Sequence, residues 1–271
     1  MSAIRPGPAP AVQSLSIHDL TLQRGGRTVL DGIGLSLHPG EVSVIIGPNG
    51  AGKSTLIAAL AGLLSPHSGQ VRLDGGLLSD MERRARARRI ALLPQHTDIA
   101  WPITVRSLVE LGRIPHQGAF GLRAADADAV DRALRAAQVT DFADRPVADL
   151  SGGERARVLI ARALAGEADW LLADEPLAGL DPGHALDALS LFRAEADRGA
   201  GVVLTLHDLD LAARMADRIV VLADGRIAAD GPAATALTPE LLQRVYGIRT
   251  QVTVTADRVR IDILGRQDPQ P

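Results

Sequence analysis

Val42-Ser43-Val44-Ile45-Ile46-Gly47-Pro48-Asn49-Gly50-Ala51-Gly52-Lys53-Ser54-Thr55 is the stretch on which the fold turns. Its first five residues form a short apolar run of the kind that makes a strand buried on both faces. Gly47 to Ser54 then fits G-x-x-x-x-G-K-S, and a helix-like stretch runs on to Leu64. A glycine-rich turn between a buried strand and a helix predicts a phosphate cradle, since backbone N–H groups can close on phosphate oxygens only where no Cβ intervenes. The positive end of the helix points at the same anion. Lys53 reaches the β- and γ-phosphates, Ser54 ligates Mg²⁺, and Thr55 touches a phosphate as well. The plainer alternative is a turn that merely caps a helix.

Composition sharpens the reading of Lys53. The 271 residues include 29 basic ones, of which 28 are arginine and one is this lysine. Placed at random among the basic positions, the lysine would fall here about once in 29 trials. Arginine's planar fork cannot replace a compact ammonium inside a tight loop. The net charge of −3 gives no global basic excess, so nucleic acid is not the expected partner. The absence of cysteine excludes disulfides, thiolate zinc sites and cysteine nucleophiles.

Outward from the loop, apolar runs of strand length recur at Ile90 to Leu93, Trp170 to Ala173, Val202 to Leu206 and Ile219 to Ala223, with helix-length segments between them. That alternation predicts a parallel sheet covered by helices. Two earlier strand-like stretches, Leu15 to Leu20 and Thr28 to Leu37, precede it. From about Gln95 to Leu150 helix-like patterns dominate (Val105 to Gly112, Ala125 to Gln138), which reads as an inserted helical subdomain. Residues 1–14 read as a flexible tail, and 248–271 as a β-hairpin extension around Ala256-Asp257. The longest nearly apolar run, nine residues from Leu56 to Leu64, is far short of a membrane span, and the N-terminus lacks a secretion signal. A cytosolic protein that meets a membrane only through a partner is expected.

A second constellation completes the chemistry. Trp170-Leu-Leu-Ala-Asp-Glu-Pro176 is a buried strand ending in two carboxylates. Asp174 is placed to hold Mg²⁺, and Glu175 to orient and deprotonate a water. Leu150-Ser-Gly-Gly-Glu154 opens a helix with capping-box spacing between Ser151 and Glu154. Capping does not explain two glycines in the first turn, where each weakens a helix by about 1 kcal/mol. Close approach of a ligand to Gly152 and Gly153 does.

In order and spacing, the phosphate loop, Gln95, Ser151-Gly152-Gly153, Asp174-Glu175, Asp181 and His207 resemble an ABC-transporter ATPase subunit, over roughly residues 15 to 247. The resemblance implies a P-loop NTPase (RecA-like) α/β core with N-terminal antiparallel strands and a helical insertion. It also implies a head-to-tail homodimer with ATP between one copy's loop and the other's Ser151 to Gly153. In it Gln95 senses Mg²⁺ and the attacking water, His207 contacts the γ-phosphate, and Asp181 crosses the interface. Where such proteins stack an aromatic ring on adenine this chain has Arg24, whose guanidinium can also stack on a base.

Leu92-Leu-Pro-Gln-His96, Trp101-Pro-Ile-Thr-Val105, Leu111-Gly-Arg-Ile-Pro-His116 and Thr238 to Gly247 are similar to the importer ATPases for iron-siderophores, haem and cobalamin. That likeness implies two transmembrane permease subunits, an indirect link to a periplasmic binding protein, and a peripheral place on the cytoplasmic face of the inner membrane. The stretch after Gln95 would then receive a helix of the permease, with Trp101 as an anchor. An exporter or lipid-transport ATPase, or one acting on ribosomes or DNA, is the alternative. The arginine cluster Arg83, Arg84, Arg86, Arg88 and Arg89 reads as a solvated helix face.

Overall fold

The computed structural model describes residues 13–95, 102–118, 121, 123–255 and 259–266. In chain order the strands are β1 (Leu15–Arg24), β2 (Arg27–Leu37), β3 (Val42–Ile46), β4 (Ser68–Leu73), β5 (Gly76–Leu77), β6 (Ile90–Leu93), β7 (Trp170–Asp174), β8 (Gly201–Thr205), β9 (Arg218–Ala223), β10 (Arg226–Gly231), β11 (Ile248–Val254) and β12 (Val259–Arg266). The helices are α1 (Lys53–Leu60), α2 (Arg83–Arg89), α3 (Val105–Glu110), α4 (Ala124–Ala136), α5 (Gly152–Ala165), α6 (Pro182–Asp197), α7 (Leu209–Met215), α8 (Ala233–Ala236) and α9 (Pro239–Tyr246).

The buried run Val42–Ile46 forms the strand expected of it, and all its residues are inaccessible because both sheet faces are covered. The main sheet has the order β10-β9-β3-β8-β7-β6. Strands β9, β3, β8, β7 and β6 pair in parallel, and β10 closes one edge antiparallel. Side chains alternate between two cores, as the period of two requires. Val42, Val44, Ile46, Val202 and Leu204 point into a core shared with α6 to α9, whereas Ile45, Val203, Leu172 and Val220 face α1 and the β1–β2 sheet. The N-terminal antiparallel sheet, order β2-β1-β4-β5, covers that second core.

Several elements depart from the pattern read in the sequence. α1 stops at Leu60, four residues before Leu64, and Gly62 turns the chain at φ +67°. Strands β4, β5 and β10 were not legible. Only Val71 and Leu73 of β4 are buried, and β10 buries no residue fully, so pairing with β1 and β9 rather than apolar pattern makes them strands. Ser14, at the end of the expected tail, exchanges two hydrogen bonds with Asp74.

The helices after Gln95 gather round α5. Val105, Leu108, Val109, Val130 and Leu134 share a cluster with Val158, Ala161 and Ala165 of α5, while Ile160 and Ala163 on its other side enter the main core. α5 is thus the common wall of both units, and it carries Ser151–Gly153 at its start. Cationic α2 buries none of its residues, yet three of its arginines are tied down. Arg89 pairs with Asp74 and Asp169, and Arg84 and Arg88 both donate Nε to the Pro115 carbonyl. The C-terminal hairpin pairs β11 with β12, and its Val259 and Ile261 pack into the main core; the turn expected around Ala256-Asp257 lies outside the described residues. Among the described residues, no helix is long and apolar enough to cross a membrane.

Candidate active site

Four neighbouring parallel strands, β3, β8, β7 and β6, end on the same side of the sheet, and the polar residues singled out above follow directly from those ends. The crevice beyond the carboxyl ends of parallel strands is where α/β folds bind ligands.

Gly47 to Gly52 loop from β3 to α1. Pro48 is half-buried, Asn49 and Gly50 are exposed, and Ala51 is buried with its N–H on the Pro48 carbonyl. A Cβ on Gly47 would lie 2.1 Å from the Leu222 carbonyl oxygen. Gly52 sits at φ +103° with its missing Cβ 2.8 Å from Leu30 Cδ2. The loop therefore accepts only glycine at both ends. α1 starts without a side-chain cap, so the first N–H groups remain available to an anion. Lys53 is buried and donates Nζ to the carbonyls of Gly47 (2.8 Å) and Pro48 (3.2 Å). Burial draws its pKa below the ordinary lysine value, and the carboxylates of Glu175 and Asp174 partly oppose that. The ammonium is parked on the loop's own oxygens, across the cradle. Ser54 is exposed and Thr55 buried.

At the end of β7, Asp174 is buried and accepts the Thr205 hydroxyl at 2.7 Å. The same Thr205 oxygen accepts the Glu175 N–H at 2.7 Å. Glu175 adopts φ +50°, rare for a residue with a Cβ, and this aims its carboxylate across the sheet ends. One carboxylate oxygen accepts Gln95 Nε2 at 2.7 Å, and the other lies 2.5 Å from His207 Nε2. Sequence reasoning missed Thr205. Its signal was the one polar residue in Val202-Val203-Leu204-Thr205-Leu206, two before His207.

Among the described residues, no group of three or more His, Cys, Asp or Glu side chains could hold a metal. The oxygen donors present are the Ser54 hydroxyl, an Asp174 carboxylate and the amide oxygen of Gln95, whose nitrogen is spent on Glu175. Few, hard protein oxygens beside a phosphate cradle fit Mg²⁺, which keeps water and phosphate as its other ligands.

Comparison with known proteins agrees with this geometry. A family model described as ABC transporter matches residues 30–178. A hemin import ATP-binding protein of Rhodococcus jostii (strain RHA1) is 47% identical over 247 residues, 91% of this chain and 84% of that protein. The chain belongs to the ABC transporter family.

Other likenesses within the family include a cobalamin import ATP-binding protein of Halobacterium salinarum (strain ATCC 29341 / DSM 671 / R1), 43% identical over 88% of this chain and 60% of that protein. An inward-facing ABC transporter of metal-chelate type matches with a TM-score of 0.79 at 26% identity, covering 93% of this chain and 97% of that one. The dimeric structure of a bacterial ABC transporter cassette matches at 0.73 and 28% identity, over 81% of this chain and 98% of that one. The α/β P-loop fold with its antiparallel strands is that of these cassettes, and the chain is an ATP-binding, ATP-hydrolysing member of the family.

The other residues expected at the site from the sequence lie elsewhere on the chain. Ser151 caps α5 in a complete capping box with Glu154. A Cβ on Gly152 would meet nothing within 4 Å, and one on Gly153 only ordinary contact with the Gly179 carbonyl at 3.5 Å. The chain's own packing therefore gives no reason for glycine at either position. Asp181 caps α6, accepting the His184 N–H at 3.0 Å and facing His184 Nδ1 at 2.5 Å; these contacts hold its pKa below the ordinary carboxylate value. Arg24 is exposed at the tip of the β1–β2 hairpin, opposite Arg27. The structure draws Lys53, Asp174, Glu175, Gln95 and His207 together and leaves Ser151–Gly153, Asp181 and Arg24 at its surface. His96 and Trp101 fall outside the described residues.

Proposed function

We propose that this chain is the motor of an importer for haem or a related metal chelate (siderophore or cobalamin), working as a homodimer with two ATP molecules sandwiched between copies. Two permease subunits and, indirectly, a periplasmic binding protein complete the machine, at the cytoplasmic face of the inner membrane. The observation that carries the mechanism is the Glu175 carboxylate suspended between Gln95 and His207 beside the phosphate loop. The cargo class rests on the hemin and cobalamin import names of the relatives.

Nucleotide phosphates attract Lys53 from the carbonyls of Gly47 and Pro48, while the N–H groups at the start of α1 take phosphate oxygens. Ser54, Asp174 and Gln95 would hold Mg²⁺, which neutralises charge on the β- and γ-phosphates when bound. His207 turns to the γ-phosphate and frees one oxygen of Glu175. That oxygen accepts the proton of the attacking water, which Gln95 helps to orient. Thr205 keeps Asp174 and Glu175 in register throughout. The partner copy's Ser151–Gly153 closes over the phosphates, where a backbone without Cβ atoms can approach the ligand. Asp181 lies across that interface, and Arg24 stacks on adenine.

Glu175→Gln preserves shape and removes the base. It should bind ATP, accumulate as a dimer on size-exclusion chromatography with ATP, and hydrolyse it at a negligible rate. Normal steady-state hydrolysis would refute the assignment. Transport of haem, siderophore or cobalamin by the reconstituted complex in vesicles, stimulated by a binding protein, decides the cargo.

A further inference from the structure

We propose that the seam between α2 and the helical insertion is a second anion site, which takes a phosphate-bearing ligand apart from the nucleotide. The seam holds a cavity of about 540 Å³, lined by Arg84 and Arg88 of α2, by Arg123 at the start of α4, and by Arg113, His116 and Asp126. None of the residues assigned to the nucleotide site lines it.

Arg84 and Arg88 stand one turn apart on α2, a spacing at which like charges repel. Both donate Nε to the Pro115 carbonyl, at 3.0 and 2.6 Å. Pinned through Nε, the two guanidiniums sit side by side with their terminal nitrogens uncommitted. Neither forms an ion pair among the described residues, whereas Arg89 of the same helix pairs with Asp74 and Asp169. Glu82 feels both charges, but its two oxygens already accept the N–H groups of Arg84 and Ala85. Arg123 lies over Gly118, where a Cβ would come within 3.1 Å of its Nη2. It too has no ion-pair partner among the described residues.

The other charges of the lining cancel. Buried Arg113 spends its guanidinium on Asp126, Glu167 and the Ala165 carbonyl. Asp126 is the one carboxylate in the lining, and its oxygens accept Arg113 Nε at 2.9 Å and the Arg123 N–H at 2.8 Å. His116 is held to the Gly166 carbonyl through Nε2, and burial, Arg113 and Arg88 all draw its pKa below the ordinary histidine value. It therefore adds no charge at neutral pH. Three guanidiniums are left lining one cavity without a counter-charge. A planar carboxylate is satisfied by one such fork, but a tetrahedral phosphate offers oxygens in several directions and carries more charge. Forks brought from two elements match the phosphate. Once bound, it ties the start of α4 to the α2–β6 segment that leads to Gln95. The arginine run that reads in the sequence as a solvated face is thus divided: Arg84 and Arg88 line the cavity, and Arg83 does not.

A free phosphate compound and the headgroup of an anionic phospholipid share this chemistry, so the test has two arms. Both use the full chain with its phosphate loop filled by saturating Mg-ADP. Calorimetric titration with inorganic pyrophosphate, at physiological salt, reads the first source; co-sedimentation with phosphatidylglycerol vesicles, against phosphatidylcholine ones, reads the second. Saturable binding in either arm should weaken about tenfold or more in Arg84→Gln, Arg88→Gln and Arg123→Gln. The Arg123 variant leaves the Pro115 bonds intact, so its loss is not a loss of folding. Arg83→Gln removes the same charge from the same helix outside the cavity and should change binding less than about twofold, since distant charges are screened. Binding of pyrophosphate alone assigns a soluble ligand, and binding of the anionic vesicles assigns a headgroup. No binding in either arm, or a loss in Arg83→Gln as large as in the other three, would overturn the proposal.

Discussion

Valine in place of Thr205 keeps the shape of the side chain and removes one oxygen that carries two hydrogen bonds. That oxygen is fully buried; its proton goes to Asp174 Oδ1 and its lone pair takes the Glu175 N–H, both at 2.7 Å. A bond to a charged carboxylate contributes about 1.5–3 kcal/mol, and an unpaired amide adds about 1 kcal/mol. The sum, about 2.5–4 kcal/mol, corresponds to a melting-temperature loss of about 5–16 °C in a chain of this size. It is smaller than a typical folding stability of about 5–15 kcal/mol, so the variant remains folded at 20 °C. The larger effect is on turnover. Glu175 occupies a backbone region that costs about 1–3 kcal/mol, and its N–H bond to Thr205 offsets that cost. Without the bond the residue relaxes and its carboxylate swings away from Gln95 and His207. A displacement of about 1 Å lowers kcat by about 100-fold. ATP affinity should stay within about threefold, since the bonds of the Gly47–Lys53 loop are untouched. Phosphate release at saturating Mg-ATP and a thermal melt measure both effects. Thr205→Ser, which restores the oxygen, should recover most of the turnover. A valine variant with wild-type kcat, or a serine variant as slow as the valine one, would refute the reasoning.

Lys53→Ala should weaken ATP binding about 10- to 150-fold by loss of a charge-assisted contact; undiminished affinity in a nucleotide titration would contradict its phosphate role. Arg113→Ala strips the partner from buried Asp126, to which Arg113 Nε donates at 2.9 Å while its Nη1 reaches Ala165 O and Glu167. Breaking such a pair costs about 3–5 kcal/mol, read as a melting-temperature loss of about 6–20 °C. His116 Nε2 bonds the Gly166 carbonyl at 2.9 Å, and burial, then the Arg113 charge, hold its pKa below the ordinary histidine value. The unfolded chain therefore binds more protons than the folded one as pH falls below about 6.5, and stability should decline across that window. Melts at pH 7.5, 6.5 and 5.5 should show a slope that His116→Gln flattens; identical slopes would rule the histidine out.

Much of the site was readable because its parts are local. The cradle from Gly47 to Ser54 draws its bonds from residues within one loop, as the Lys53 bonds to Gly47 and Pro48 illustrate. The Ser151–Glu154 capping box likewise spans only four residues. Gln95 and His207 were different. Each is an unremarkable polar residue at a strand end, and only the likeness to a known family gave either a role. Thr205 carried still less signal, being a single polar group inside an apolar run.

The sequence by itself determined that a buried strand, a phosphate loop and a helix follow one another, that the core is α/β, and that Lys53 is the cation of the loop. Those features depend on φ/ψ preference, periodicity and bonds between near neighbours. Only the tertiary structure decided that Gln95 and Glu175, 80 residues apart, share a hydrogen bond, and that Thr205 ties Asp174 to Glu175 across 30 residues. It also made strands of β4 and β10. The reason is the strand order β3-β8-β7-β6, set by long-range pairing and helix packing, which places distant strand ends side by side. The lone lysine could be recognised from its neighbours in the chain; the residues that hold Glu175 in place are neighbours only in space.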